Sequence, residues 1–435
     1  MQLKKQKKFA HKTPVRTALA AATCSLLGTS ATPVFALGTD EPWEFDIAVL
    51  YYGENDARVR AFEPLIRARK ELSEEEFLTL KAVIDSLTGA SPSGAMPSSQ
   101  AQTFSSPSGN SGYTIAPNTL PLDDSFLDTR YQLSAEWEKP IDRLSKATYG
   151  FNLSNEYDFF SLAASATFSW DLNQRNSTLV AGLSFESDTI EPVGGTPIPL
   201  SENLAPGVAQ NREGSSESRS LTDVLLGLTQ VISAKTIMQF NYSFSSSSGY
   251  HTDPYKLVSV IDDAPLSANL GEPVRHIYEN RPDSRARHSI FWKTMHHFEE
   301  DVIDFSYRYL TDDWDITSHT FDMRYTFSSA QGGGYLQPHI RYYIQNAANF
   351  YRTNIGASEI LPTYMSADYR LGDMTTLTAG LKYAWGVADR KHQAIRVEYM
   401  MQTGDPSEGS RIGNLANQDI VPETNAFILQ YQYSF

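Results

Sequence analysis

The residues in this chain best placed to do chemistry are charged side chains that alternate with apolar ones. Asp304 and Arg308, Asp322 and Arg324, and His339 and Arg341 lie on three successive segments, always on the polar phase of the alternation. Arg130, Lys382, Arg396 and Glu398 hold the same phase elsewhere, as do Glu136, Asp223, Arg287 and Lys293. In a β-strand, successive side chains point to opposite faces, so each set would share one face, away from the apolar stripe. Such residues act through charge rather than covalent chemistry. They suit a selectivity lining for polar solutes or a seat for an inserted partner. They equally suit a paired network that fills an interior and holds its shape. Residue types alone leave these readings open.

Signals for catalysis are thin. His251 lies near Asp253, Asp312 and Asp313 form an acidic pair, and Ser318 precedes His319. The alternation turns His319 to the side opposite Ser318, a poor geometry for a general base. No Gly-rich phosphate loop and no Cys/His metal spacing occurs. Asp312, Asp313 and Asp315 lack the glycine and terminal Glu of a calcium loop. A solvated loop facing lipopolysaccharide is expected there. No catalytic residue, metal or cofactor is expected, and the chain is not expected to be an enzyme.

Strands must position these charges. Many segments of about ten residues alternate in the manner of a membrane barrel. Trp43, Phe45, Ile47, Val49 and Tyr51 form one stripe, and Tyr131, Leu133, Ala135 and Trp137 another. Leu179, Ala181, Leu183 and Phe185 continue the pattern, as do Phe321, Met323, Tyr325 and Phe327. The segment 72–87 reads as a strand rather than an amphipathic helix, because Leu78, Leu80, Ala82 and Ile84 share one phase. At the C-terminus, Phe427, Leu429, Tyr431, Tyr433 and Phe435 fall on every second position. This terminal aromatic stripe is expected to be the assembly signal read by the barrel-assembly machinery.

The connections alternate in length. Those at 67–75, 138–145, 171–177, 233–235, 297–301, 328–334 and 387–393 are short, whereas 89–125, 186–218, 245–282, 346–372 and 402–424 are long. Short periplasmic turns and long outer loops produce such a sequence, and a barrel with both ends in the periplasm has an even strand number. Placing the short apolar run 367–371 inside an outer loop gives sixteen strands, within a range of roughly 14–18. The expected fold is all-β: an antiparallel up-and-down transmembrane barrel.

The first residues read as an address. Lys4, Lys5, Lys7, Lys8, Lys12 and Arg16 precede a short apolar run, and Val34-Phe35-Ala36 fits a cleavage site. A signal peptide over 1–36 and a barrel over 37–435 are expected. The single cysteine, Cys24, falls in the leader, leaving no thiol chemistry for the barrel. No segment approaches the roughly 18 apolar residues of a spanning helix. Across 435 residues, 51 Asp+Glu against 36 Lys+Arg argue against nucleic acid as a partner.

Several longer motifs carry a resemblance. They include LTGASPSGA (87–95), LDTRYQLSAEWEKP (127–140), SNEYDFFS (154–161), GYHTDPYKLVSV (249–260) and YENRPDSRARHS (278–289). SYRYLTDDWDITSHT (306–320), LQPHIRYYIQNAANFY (336–351) and SADYRLG (366–372) belong with them. Together they resemble a Gram-negative outer-membrane barrel family catalogued as domain of unknown function 3570. The resemblance implies residence in the cell outer membrane, among its lipid and lipopolysaccharide, and assigns no catalytic residue. It also implies a periplasmic or lipoprotein partner within an envelope redox or export system. The expected function is a channel or a barrel sheath for transport or export. The alternative is a non-conducting structural or interaction barrel, and the third reading is an enzyme on the rim.

Overall fold

The computed structural model describes residues 43–55, 58–105, 112–328, 333–386 and 391–435. The signal peptide expected over 1–36, with Cys24, and most of the 387–393 turn lie outside the described residues.

Sixteen strands form one closed antiparallel barrel. In chain order they are β1 (Glu44–Glu54), β2 (Arg60–Ser73), β3 (Glu76–Pro92), β4 (Leu122–Pro140), β5 (Ser145–Asn155) and β6 (Phe159–Leu172). They continue as β7 (Ser177–Ile190), β8 (Glu217–Ser233), β9 (Thr236–Gly249), β10 (Ser284–His297) and β11 (Val302–Asp312). The last five are β12 (Thr317–Ser328), β13 (Gly334–Gln345), β14 (Asp373–Trp385), β15 (His392–Asp405) and β16 (Thr424–Ser434). Each pairs with its sequence neighbours, and β16 returns to β1 with Val49 opposite Tyr431. Phe45 and Phe435 exchange two backbone hydrogen bonds of 2.9 Å at that seam, and their rings stack at 5.6 Å. A closed ladder has no open edge, which hydrocarbon would not tolerate.

The alternation holds around the ring. Phe62, Ile66, Leu80, Ile84, Leu133, Phe151, Leu183, Leu226, Phe240, Ile290, Phe321, Ile340, Leu381, Val397 and Leu429 are all exposed, and the register puts them all outside. An apolar band of this extent needs lipid to cover it. At the rim that holds the termini, Trp137 packs near Tyr149, Tyr383 stacks on Trp385 and Phe298 on Tyr325. These rings form the interfacial girdle. No helix among the described residues is long and apolar enough to cross a membrane.

One connection differs from the sequence reading. Residues 67–73 continue β2, and the turn is only Glu74-Glu75, with Glu75 in the left-handed region at φ 60°. Three of the charges that disguised this stretch as a loop, Arg67, Arg69 and Glu71, face inward, and Lys70 faces out, 5.9 Å over the Trp43 ring. Arg67 is held by Asp46 at 3.2 Å, and the Arg69 guanidinium lies 4.0 Å over the Phe77 ring. The run 367–371 does lie in an outer loop, where Tyr369–Leu371 forms a single 3-10 turn.

The long outer loops have structure of their own. Leu257–Ile261 pairs with Pro273–Tyr278 and, in parallel, with Asn354–Gly356. Four clusters of buried apolar residues sit here, and each draws on more than one connection. Met96, Ile261, Leu415, Ile420 and Val421 pack together from three loops. Val258, Ile277, Ile355 and Met365 join two, with Leu200 of a third against them. These loops are rooted at β3/β4, β7/β8, β9/β10, β13/β14 and β15/β16, all around the ring. A shared core therefore requires them to arch across the outer mouth as a cap. Gly271 and Gly413, both at positive φ, permit one crossing. A Cβ at Gly413 would meet the Leu270 carbonyl oxygen at 1.9 Å, and one at Gly271 would meet that of Ile412 at 2.2 Å. Each fully buried Ile, Leu or Met contributes roughly 1.5–3 kcal/mol, so the cap is held largely by its own core.

Candidate functional site

The inner face is polar, and its charge is divided between two walls. On β1–β8 the acids Asp46, Glu63, Glu71, Asp85, Asp128, Glu136, Glu138, Asp171, Glu186, Asp188 and Asp223 outnumber the cations Arg67, Arg69, Lys81, Arg130, Lys146 and Arg219. On β9–β16 the balance reverses. Arg285, Arg287, Lys293, Arg308, Arg324, Arg341, Lys382 and Arg396 face only Asp304, Asp312, Asp322 and Glu398. Successive strands of a closed ring place these two groups on opposite walls.

Lower on the basic wall the charges are paired. Lys293 Nζ meets Asp304 at 2.8 Å. The His339 ring bridges two carboxylates, with Nε2 2.9 Å from Asp322 and Nδ1 2.8 Å from Glu398. Arg324 adds a 3.1 Å contact to Asp322, and Arg396 lies 3.8 Å from Glu398. The His339–Glu398 bond spans an intervening strand at Gly380, which sits opposite both residues. A Cβ there would fall 2.4 Å from Glu398 Cγ, so only glycine leaves the bridge its path. Lys382 lies 5.7 Å over the Tyr335 ring, and Arg130 on the far wall pairs with Asp85 at 2.8 Å. Glu136 and Asp223 take inner positions, Asp223 accepting from Ser184 at 3.1 Å.

The alternation does not disclose the pairing. Asp304 takes Lys293 of the neighbouring strand as partner, while Arg308 lies four residues, roughly 13 Å, further along the same strand. Arg308 and Arg341 have no ion-pair partner among the described residues. Both are exposed to the lumen, and the Arg308 guanidinium lies 5.4 Å from the Phe291 ring centroid. Arg287 is half-buried and donates to Ser245 at 3.2 Å.

These three arginines line a cavity of about 390 Å³ beneath the cap. Arg285, Arg281 and Arg370 join them, with Leu310, Ile316, Ser318, Thr320, Tyr343, Gln345, Asp368 and Leu371. The added arginines are already committed. Arg285 is held by Asp312 at 2.5 Å, with its guanidinium 4.3 Å over Trp314. Arg281 bonds buried Glu279 at 2.6 Å and buried Asp368 at 2.9 Å. Arg370 meets Asp368 at 2.6 Å and Asp253 at 2.9 Å. Ser366 donates its hydroxyl to Glu279 at 2.5 Å. Burial pushes the Asp368 carboxyl up, but Arg370, Lys256 and Arg281 outweigh it and hold it well below the usual carboxylate range. Gln345 at the top of β13 donates to the carbonyls of Arg370 and Gly372 at 2.9 and 2.8 Å, tying this node to the wall.

The sequence signal for the chamber lay in the motifs 249–260, 278–289 and 366–372, which converge here. Alternation could not find it, since Arg281, Asp368 and Arg370 belong to loops. The acids of 312–315 serve the turn and its neighbours. Asp312 accepts from the backbone N–H of Trp314 and Ile316, Asp313 from Ala286 N–H, and Asp315 from Asn349. No group of three or more potential metal ligands occurs among the described residues. His319 lies outside, bonded to Tyr307 at 2.8 Å. His251 instead meets Ser247 at 2.7 Å, with its other nitrogen on the Gly249 carbonyl. Ser247 is buried, and the chamber does not reach it. Of the terminal stripe, Phe427, Leu429, Tyr431 and Phe435 are exposed on the outer face, and Tyr433 stacks on Phe435 at 5.1 Å.

A closed ring with an apolar belt, a charged interior and both described ends on one rim defines a transmembrane β-barrel of the Gram-negative outer membrane. The chain belongs to the family described as Protein of unknown function (DUF3570), whose profile matches residues 16–435. Among solved structures it is similar to a mutant ferric enterobactin receptor from Pseudomonas aeruginosa, with TM-score 0.44 and 8 % identity. That match covers 85 % of this chain, which spans only 55 % of the receptor. The siderophore receptor PirA from Acinetobacter baumannii matches with TM-score 0.40 and 8 % identity, over 90 % of this chain and 58 % of that one. OccK2 from P. aeruginosa, in complex with glucuronate, matches with TM-score 0.40 and 10 % identity, over 92 % and 100 %. No curated protein matches the sequence.

Proposed function

We propose that the protein is a gated outer-membrane channel for polar solutes, closed on the outside by its own loop cap. The observation that carries this is where the apolar cores lie. All four described clusters belong to the outer connections, and none fills the barrel. A ring of sixteen strands is wide enough to hold water unless side chains or a plug fill it. Its wall is charged, and the opposed acidic and basic walls create a field across the path. Such a field orients dipolar or charged solutes as they pass.

Conductance of the folded barrel in a planar bilayer tests this reading. The native protein should pass small or rare currents, because the cap obstructs the mouth. Asp368→Asn removes the charge that holds Arg281 and Arg370, and breaking a buried pair costs roughly 3–5 kcal/mol. That variant should open more often or more fully. No current from either protein, with both correctly folded, would overturn the channel reading. It would favour a non-conducting structural or sheath barrel, which the independent core of the cap also suits.

A further inference from the structure

The chamber under the cap holds more positive charge than its own acids neutralise. We infer that it is a binding site for a small oxyanion of charge two or more, carrying phosphate or carboxylate groups.

Asp312 commits Arg285, while Asp368 commits Arg281 and Arg370. Arg287, Arg308 and Arg341 remain without a carboxylate at ion-pair distance among the described residues. Arg287 rests on a serine hydroxyl, Arg308 touches only the Phe291 ring and is otherwise exposed, and Arg341 is exposed. Like charges around one partly enclosed volume repel each other, and walls of low dielectric sharpen the field they create. An anion relieves that repulsion.

Guanidinium is suited to this task, because its planar fork matches a phosphate or carboxylate group through two parallel hydrogen bonds. Ser318 and Thr320 supply hydroxyls on the same wall, while Tyr343 already donates its own to Gln345. The volume of about 390 Å³ falls within the roughly 300–1,000 Å³ usual for small-molecule sites. It suits a small metabolite rather than a polymer. The position, between cap and lumen, is where an entering solute would first be held.

This inference deepens the channel reading by naming a solute class, yet its test does not need current to flow. Isothermal titration calorimetry on the whole folded barrel in detergent, at low ionic strength, would use inorganic phosphate and succinate as probes. A neutral disaccharide serves as comparison. At least one of the two anions should bind saturably and the sugar should not. The stronger anion tells phosphate chemistry from carboxylate chemistry. Arg308→Gln and Arg341→Gln should each weaken binding about tenfold or more, and the pair should abolish it. Arg308→Lys should recover only part of the affinity, since it restores charge without the fork. Arg67→Gln on the opposite wall should bind as the native protein does. Heat-modifiable migration on gels confirms that each variant has folded.

Absence of saturable anion binding by the native barrel would overturn the inference. So would unchanged affinity in the folded double variant. Anion binding without conductance would remove the channel reading alone. Conductance without anion binding would remove this inference alone.

Discussion

At the scale of single residues, two positions give sharp tests. Gly380 is the gap through which His339 reaches Glu398, and a Cβ there would also sit 2.9 Å from the Val397 carbonyl oxygen. Gly380→Ala should therefore lower the unfolding midpoint of the barrel in detergent, at a cost of roughly 1–3 kcal/mol. An unchanged midpoint would mean the bridge adjusts freely. His276 lies in the cap, bonded to Ser259 at 3.0 Å, with its ring 4.9 Å from that of Phe104. Burial pushes its pKa down to about 4, against about 6.5 for the unfolded chain. The unfolded state therefore takes up a proton that the folded cap refuses. Stability from this residue is fully present above about pH 6.5 and is lost as pH falls toward 4. At about 1.4 kcal/mol per unit the loss reaches about 3 kcal/mol. Protease sensitivity of the loops should rise across that window, and His276→Gln should remove the rise. Persistence of the acid effect in the variant would put its origin elsewhere. Asp368 does not share this window, since its neighbouring cations keep it charged far below it.

At the scale of elements, strands were far more legible than loops. A strand advertises itself because lipid and lumen make opposite demands on alternate residues. That is why the stripe Phe427 to Phe435 and the charges at 304, 308, 322 and 324 could be assigned to opposite faces. The same contrast makes a test. Leu429 faces lipid and Gln430 the lumen. Leu429→Arg should destabilise the barrel by roughly 2–4 kcal/mol if it lies near the bilayer midplane, while Gln430→Arg should be tolerated. Equal effects would mean the faces are wrongly assigned. Where both sides of a strand are buried in protein, the signal fades. Leu257–Ile261 is buried at every position and has no period of two to read. Its pairing with 273–278 and 354–356 depends on contacts distant in sequence. Charge pairing was equally hidden, because the register that sets Lys293 beside Asp304 is a property of the assembled sheet.

At the scale of the whole molecule, parity and loop length were enough to count sixteen strands, since an up-and-down ring allows little freedom of connection. They could not reveal that the outer loops join into one body. Nor could they reveal the division of the lumen into acidic and basic walls, which appears only when strands far apart in sequence face each other across the ring. The separate core of the cap also bears on how the barrel stays in place. Drawing a hairpin back toward the periplasm would pull its outer loop out of a core shared with loops rooted elsewhere on the ring. Side chains such as Val258, Ile355 and Leu415 would then be stripped of their cover, at a cost of roughly 1.5–3 kcal/mol each. The cap thus acts as a clasp on the outer side that opposes the return of inserted strands.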